Sequence, residues 1–235
     1  MSTESKTFPE FLTKPRDSIS YESLAARGKN AMAALWGQIA LTYGFILAAI
    51  WTPEGTLKIA WMMAAATSAV VFSLAGPYSW REMGFDVRRN SATWRVLVYG
   101  LLLAFSIPMT AIILGQHVSP IRPVPWHSAW QYGIWAVLQQ FILQSFLFVR
   151  LESLVPKHAV LTTALLFAVA HVPNPVLTPL TFLGGLFFCA MFRRYRNILP
   201  LGLVHAVLGP TIAASFSDSI VHHMRVGIGY FGFHP

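Results

Sequence analysis

Charge is scarce in this chain. Only 11% of its 235 residues are charged, while 55% are hydrophobic. Soluble globular domains carry about 25% charged residues, so an ordinary soluble enzyme is excluded. Acids are the scarcer sign, with 9 Asp and Glu against 17 Lys and Arg. The single cysteine, Cys189, excludes an internal disulfide; it lies in an apolar run and reads as a small packing residue. No phosphate loop, dinucleotide fingerprint or nucleophile elbow occurs, and no internal repeat or low-complexity linker. The first 30 residues lack the apolar stretch of a cleavable signal peptide. They are polar instead, with Glu4, Lys6, Glu10, Lys14, Arg16, Asp17, Glu22, Arg27 and Lys29.

What is present is apolar chain in long uninterrupted runs. No Asp, Glu, Lys or Arg occurs in 30–53, 59–80, 96–121, 123–149, 159–192 or 197–217. Several of these exceed the roughly 20 residues needed to cross a bilayer core. The expected fold is an all-α polytopic transmembrane helical bundle of about seven spans, near 33–51, 59–75, 96–114, 129–149, 159–172, 176–192 and 198–216. Pro173 and Pro175 stop the fifth, so the fifth and sixth form either a tight hairpin or one broken crossing. The expected organisation is a polar tail, 1–30, one membrane domain, 31–216, and a carboxy-terminal tail, 217–235. An eighth, half-inserted element in that last tail is equally compatible with the sequence.

Fourteen of the 17 Lys and Arg fall in the amino-terminal tail and in the connections that such a topology puts on the same side. Lys58, Arg122 and Arg225 fall on the other. Cytoplasmic loops carry the excess of positive charge, so the amino terminus is expected in the cytoplasm, and the expected location is a bacterial inner (cytoplasmic) membrane. Contact with anionic lipid headgroups then explains the net charge of +8 without a nucleic-acid partner. Trp36, Trp51, Trp61, Trp80, Trp94, Trp126 and Trp130 lie near span ends, as interfacial anchors do.

Polar groups inside a hydrocarbon layer are costly unless paired, which makes them functional candidates. In the fourth span Gln140 and Gln144 share a helix face by their four-residue spacing, with Gln139 beside them. His171 ends the fifth span and His205 lies in the seventh. At about 1.5 Å of rise per residue, Gln139 is roughly 15 Å from the outer end of its span. His205 is about 10 Å from the cytoplasmic side and His171 roughly 18 Å. All are near mid-layer, so convergence is allowed. The alternative is that the glutamines serve only as interhelical glue and the histidines as satisfied packing residues. Two histidines with Asn174 or a glutamine are too few strong ligands for a zinc site, and no cofactor is implied.

The order of these elements resembles the CPBP family of CAAX prenyl proteases and bacteriocin-processing enzymes, also called Abi, which are glutamic intramembrane proteases. Members carry Glu-Glu-x-x-x-Arg in one membrane helix, then Phe-x-x-x-His, then His-x-x-x-Asn or His-x-x-x-Asp. Here Phe167-x-x-x-His171 fits the second motif. The runs Phe182-Leu183-Gly184-Gly185-Leu186 and Leu201-Gly202-Leu203-Val204-His205-Ala206 are similar to the approach to the third. The likeness covers about 129–209. Gln139 and Gln140 stand where the family has its paired Glu, Gln144 where it has Arg, and Gly209 where it has Asn or Asp. The resemblance implies an intramembrane endopeptidase acting on a membrane-associated peptide or protein. His171, His205, Gln139 and Gln140 would stand at its catalytic positions, with Gln144 and Asn174 binding substrate. A carboxamide is no base near neutral pH, although it can orient water or donate to an oxyanion. The site is therefore altered or impaired, and a non-catalytic scaffold or immunity-type relative is the alternative. Glu152, the one acid near a motif, is expected at the cytoplasmic rim in a surface ion pair beside Arg150.

Overall fold

The computed structural model describes residues 28–85, 90–116 and 126–232. Most of the polar tail expected over 1–30 lies outside the described residues. The main helices are α1 (Lys29–Trp51), α2 (Thr56–Ala75), α3 (Asn90–Ile113) and α4 (Trp126–Gln140). A π-helical segment (Phe141–Phe148) continues α4 directly into α5 (Val149–Leu154). Then follow α6 (Ala159–Val169), α7 (Leu177–Tyr195) and α8 (Ile198–Ser215). The architecture is the all-α polytopic bundle that the apolar runs imply.

Among the described residues, five stretches are long and apolar enough to cross a membrane: Lys29–Trp51, Thr56–Ala75, Thr93–Ile113, Trp130–Leu154 and Ile198–Ser215. Against about seven expected spans, the described residues give these five and the shorter apolar helix α6. Helix α6 has 11 residues. At 1.5 Å each they span roughly 16 Å, well short of a ~30 Å core. It pairs with α7 instead, as the tight-hairpin alternative required. The outer surfaces of α1 to α3 remain apolar and exposed, for example Leu74, Leu101, Phe105 and Ile113, which suits contact with lipid chains.

Small residues let the helices approach closely. A side chain on Gly100 of α3 would collide with Val204 of α8. One on Gly202 would come within 2.7 Å of Val137 of α4, and a Cβ on Gly185 of α7 would stand 2.9 Å from the Ala164 Cα of α6. Backbone cannot yield there as a side chain can. Gly185→Val is therefore expected to loosen the hairpin and destabilise the protein by about 1–3 kcal/mol. Gly184→Ala is the control, because its nearest neighbour would be a Phe188 ring atom at 3.7 Å. Thermal unfolding in detergent checks this; equal melting of the two variants would refute it.

The basic end of the bundle is fastened by buried charge. Arg150 is fully buried. Its guanidinium donates to Gln38 Oε1 (2.9 Å), to the Phe146 carbonyl (3.1 Å) and to the Phe72 carbonyl (2.6 Å), tying α5 to α1 and α2. Glu152 accepts from Arg193 Nε at 3.2 Å and from Arg196 Nη2, and all three side chains are buried. This corrects the expected surface ion pair, since Glu152 is buried. The hairpin brings the last turn of α7 back against α5, so the acid meets the arginines of a later element. Arg196 itself ends α7 in the left-handed region (φ 47°), and Asn197 caps α8 by accepting from Leu199 N at 3.1 Å.

The segment after α8 folds back as short helical turns, α9 (Asp218–Val221), a 3-10 turn (His222–Met224) and α10 (Ile228–Phe231). Gly227 N donates to the Val172 carbonyl at 2.9 Å, and the rings of Trp51 and Phe231 meet at 6.4 Å. The segment closes over the α6–α7 turn and the end of α1.

Candidate functional site

Gln140 and His205 meet. Gln140 Nε2 lies 3.0 Å from His205 Nδ1, which joins α4 to α8. The Gln140 amide oxygen faces Gln144 Nε2 in a long contact of 3.5 Å, so the amide nitrogen is the group turned to the imidazole. It donates, and Nδ1 accepts. His205 is then neutral, with its proton on Nε2. His171 is oriented the opposite way. Its Nδ1 lies 2.7 Å from the Phe167 carbonyl, which can only accept. Nδ1 of His171 therefore carries a proton, and in the neutral ring Nε2 is a bare lone pair.

The two imidazoles share a neighbour. The Phe167 ring centroid is 4.8 Å from that of His171 and 6.0 Å from that of His205, both edge-on. Phe188 also packs against His205, at 5.4 Å. The i, i+4 spacing of Phe167 and His171 at the end of α6 places ring on ring. The hairpin then delivers both to α8. Elements far apart in sequence thus set two imidazoles around one phenyl ring, with the Gln140 amide on the second of them.

Gln144 lies deeper. It is fully buried and donates weakly to Cys189 Sγ at 3.7 Å, while its Oε1 has no hydrogen-bond partner among the described residues. A buried acceptor left without a donor costs about 1–3 kcal/mol. Such an atom is suited to receive a donor from a bound molecule or water. The π segment begins at Phe141, directly after Gln140. Its wider turns recur at functional sites, because they re-aim side chains within an otherwise regular helix.

Two candidates stand apart from this cluster. Gln139 is half-buried, and its side chain makes no hydrogen bond with any described residue. Asn174 is buried and fully engaged in holding the chain. Its Nδ2 donates to the carbonyls of Val221 (2.7 Å) and Arg225 (3.1 Å), and its Oδ1 accepts from Val176 N (3.1 Å) and Leu177 N (3.0 Å). It starts α7 and anchors the final turns. Among the described residues no group of three or more His, Cys, Asp or Glu is placed to hold a metal ion.

One group escaped the sequence reading. Tyr132 packs its phenol over Gly209, so closely that any side chain at 209 would overlap the hydroxyl. Tyr132, Ala136, Gln140 and Gln144 recur every four residues, and that stripe was the available signal. The phenol occupies the space that a side chain at 209, one turn beyond His205, would need. Gly209→Asn should therefore push Tyr132 aside and destabilise by about 1–3 kcal/mol, with Tyr132→Ala relieving part of that loss. A double-mutant cycle on thermal or denaturant unfolding reads the coupling; additive losses would contradict this packing.

A family model described as type II CAAX prenyl endopeptidase Rce1-like matches residues 121–209. No curated protein and no solved structure matches the chain. The matched stretch contains α4, the π segment, the α6–α7 hairpin and the first two-thirds of α8, which are the elements that bring Gln140, Gln144, His171 and His205 together. Over residues 121–209 the chain is thus similar to the CAAX-protease (CPBP) family, and its apolar helices are those of an integral membrane protein.

Proposed function

We propose that this protein is an intramembrane endopeptidase of altered catalytic site, acting on a membrane-associated peptide such as a prenylated or leader-bearing one. The observation that carries the reading is the opposite hydrogen bonding of the two imidazoles at Nδ1. It leaves an acceptor at His171 Nε2 and a donor at His205 Nε2. In the proposed reaction a water oxygen attacks the scissile carbonyl carbon while its proton passes to His171 Nε2. The oxyanion accepts from His205 Nε2–H, with Gln140 holding that ring in its tautomer. As the C–N bond breaks, the proton on His171 passes to the departing amine. The unpartnered Gln144 Oε1 offers an acceptor for a substrate N–H or for water. His171, His205 and Gln140 are the groups of the reaction in this reading; Gln139 and Asn174 contribute through the frame. The amino terminus is placed in the cytoplasm on the charge asymmetry of the loops.

A second reading is a non-catalytic relative that binds membrane peptides as a scaffold or immunity factor. Amides replace the carboxylate base, and Glu152, the one acid near the motifs, is locked between Arg193 and Arg196. Purified protein incubated with tagged membrane peptides separates the two. Cleavage by the wild type, lost in both His171→Ala and His205→Ala, is the expected result. An inert wild type with cleavage gained by Gln140→Glu would establish the binding relative instead. Equal cleavage by all four proteins would remove the site.

A further inference from the structure

We infer that the cleft between α3 and α7 is a binding site for an anionic phospholipid. The cleft has a volume of about 630 Å3 and opens on the outer surface of the bundle. This lies within the range of specific ligand pockets, roughly 300–1,000 Å3. It does not depend on the peptidase reading: none of its lining residues belongs to the amide–imidazole cluster, and where Phe187 lines the cleft its neighbour Phe188 packs on His205.

Two properties select the occupant. The first is charge at one end only. Arg95 stands at the start of α3 and Arg194 at the end of α7, so antiparallel helices put both guanidinium groups at the same mouth. Each lies over an aromatic ring, Trp94 at 5.7 Å and Tyr195 at 5.6 Å, as cations do at a headgroup interface. Guanidinium is the side chain best matched to phosphate oxygens. The second property is depth. From Arg95 the lining continues through Tyr99 and Leu103 to Ser106, eleven residues along α3. That is roughly 16 Å, about half of a ~30 Å hydrocarbon core and hence one leaflet. Phe187 and Met191 supply the facing apolar wall from α7. A cleft one leaflet deep, apolar along its length and doubly cationic at its mouth fits a phosphodiester headgroup with an acyl chain beneath it. A soluble anion would leave the apolar wall unused, and a zwitterionic lipid would bring a choline ammonium to the two arginines.

The test is native mass spectrometry of the full-length protein titrated with phosphatidylglycerol or with phosphatidylcholine of the same acyl chains. Each arginine near the surface is expected to contribute roughly fivefold to retention of the anionic lipid, and the pair about twenty- to thirtyfold. Arg95→Gln/Arg194→Gln should bring the two lipids to equal retention, with phosphatidylcholine retention unchanged as the sign of an intact fold. Leu103→Trp, which fills the apolar part, should lower retention of both. Lys58→Gln, at the other end of the bundle, should change nothing. An unaltered lipid preference in the double arginine variant would overturn the assignment, as would an equal loss in Lys58→Gln. So would displacement of the lipid by chainless glycerol phosphate as effectively as by phosphatidylglycerol, or by a prenylated peptide ahead of any phospholipid.

Discussion

Glu152→Ala is expected to destabilise the protein by about 3–5 kcal/mol, a loss that would leave little folded chain at elevated temperature. The carboxylate is the shared partner of two guanidinium groups, and all three side chains are buried. Removing it takes away the carboxylate that two buried like charges share, and each then opposes the other in a region that excludes water. Arg193 also donates to the Pro156 carbonyl at 2.8 Å and Arg196 to the Glu82 carbonyl at 3.3 Å, so the disturbance would reach the loops before α3 and α6. The intact ion cluster is a different matter, since desolvation offsets much of its attraction. Glu152→Leu combined with Arg193→Met and Arg196→Met should therefore recover a large part of what Glu152→Ala loses. Unfolding of the purified variants measures both; a Glu152→Ala protein as stable as wild type would show that the cluster is solvated and unimportant.

The second large effect is chemical. His171→Ala should lower the cleavage rate by about 10²–10⁴-fold, the usual contribution of a positioned acid–base group. His205→Ala should lower it by roughly 10²–10³-fold, as loss of one oxyanion donor does. Asparagine substitutions separate the roles. An amide can donate but cannot take up a proton near neutral pH, so His205→Asn should retain more activity than His205→Ala, whereas His171→Asn and His171→Ala should be equally inactive. Rates for the four variants against one tagged peptide settle the matter; rescue at 171 and none at 205 would reverse the assignment.

The helical bundle was legible because charge-free apolar runs admit few alternatives in a chain with 11% charged residues. The number of crossings was less so. Hydropathy cannot separate a full span from a short hairpin arm, and α6 is the case in point. Distance along an axis could be estimated for Gln139, His171 and His205, but not which elements would face one another. The same arithmetic carried Glu152 to the basic end correctly but left it on the surface, since its partners arrive on α7 from more than forty residues later. The π turns at Phe141–Phe148 were hidden for another reason: a four-residue spacing of glutamines looks the same before and after the coil widens. Tyr132 was passed over because tyrosine in an apolar helix is ordinary, and only its position on Gly209 makes it notable.

The polar cluster of amides and imidazoles has an electrical consequence. Moving one elementary charge through a potential of 100 mV involves about 2.3 kcal/mol, and a group without formal charge escapes that work. Gln140, Gln144 and the singly protonated ring of His205 carry none. An energised bilayer therefore exerts no direct pull on them, whereas a carboxylate at position 140 would make occupancy of the ionised form depend on voltage.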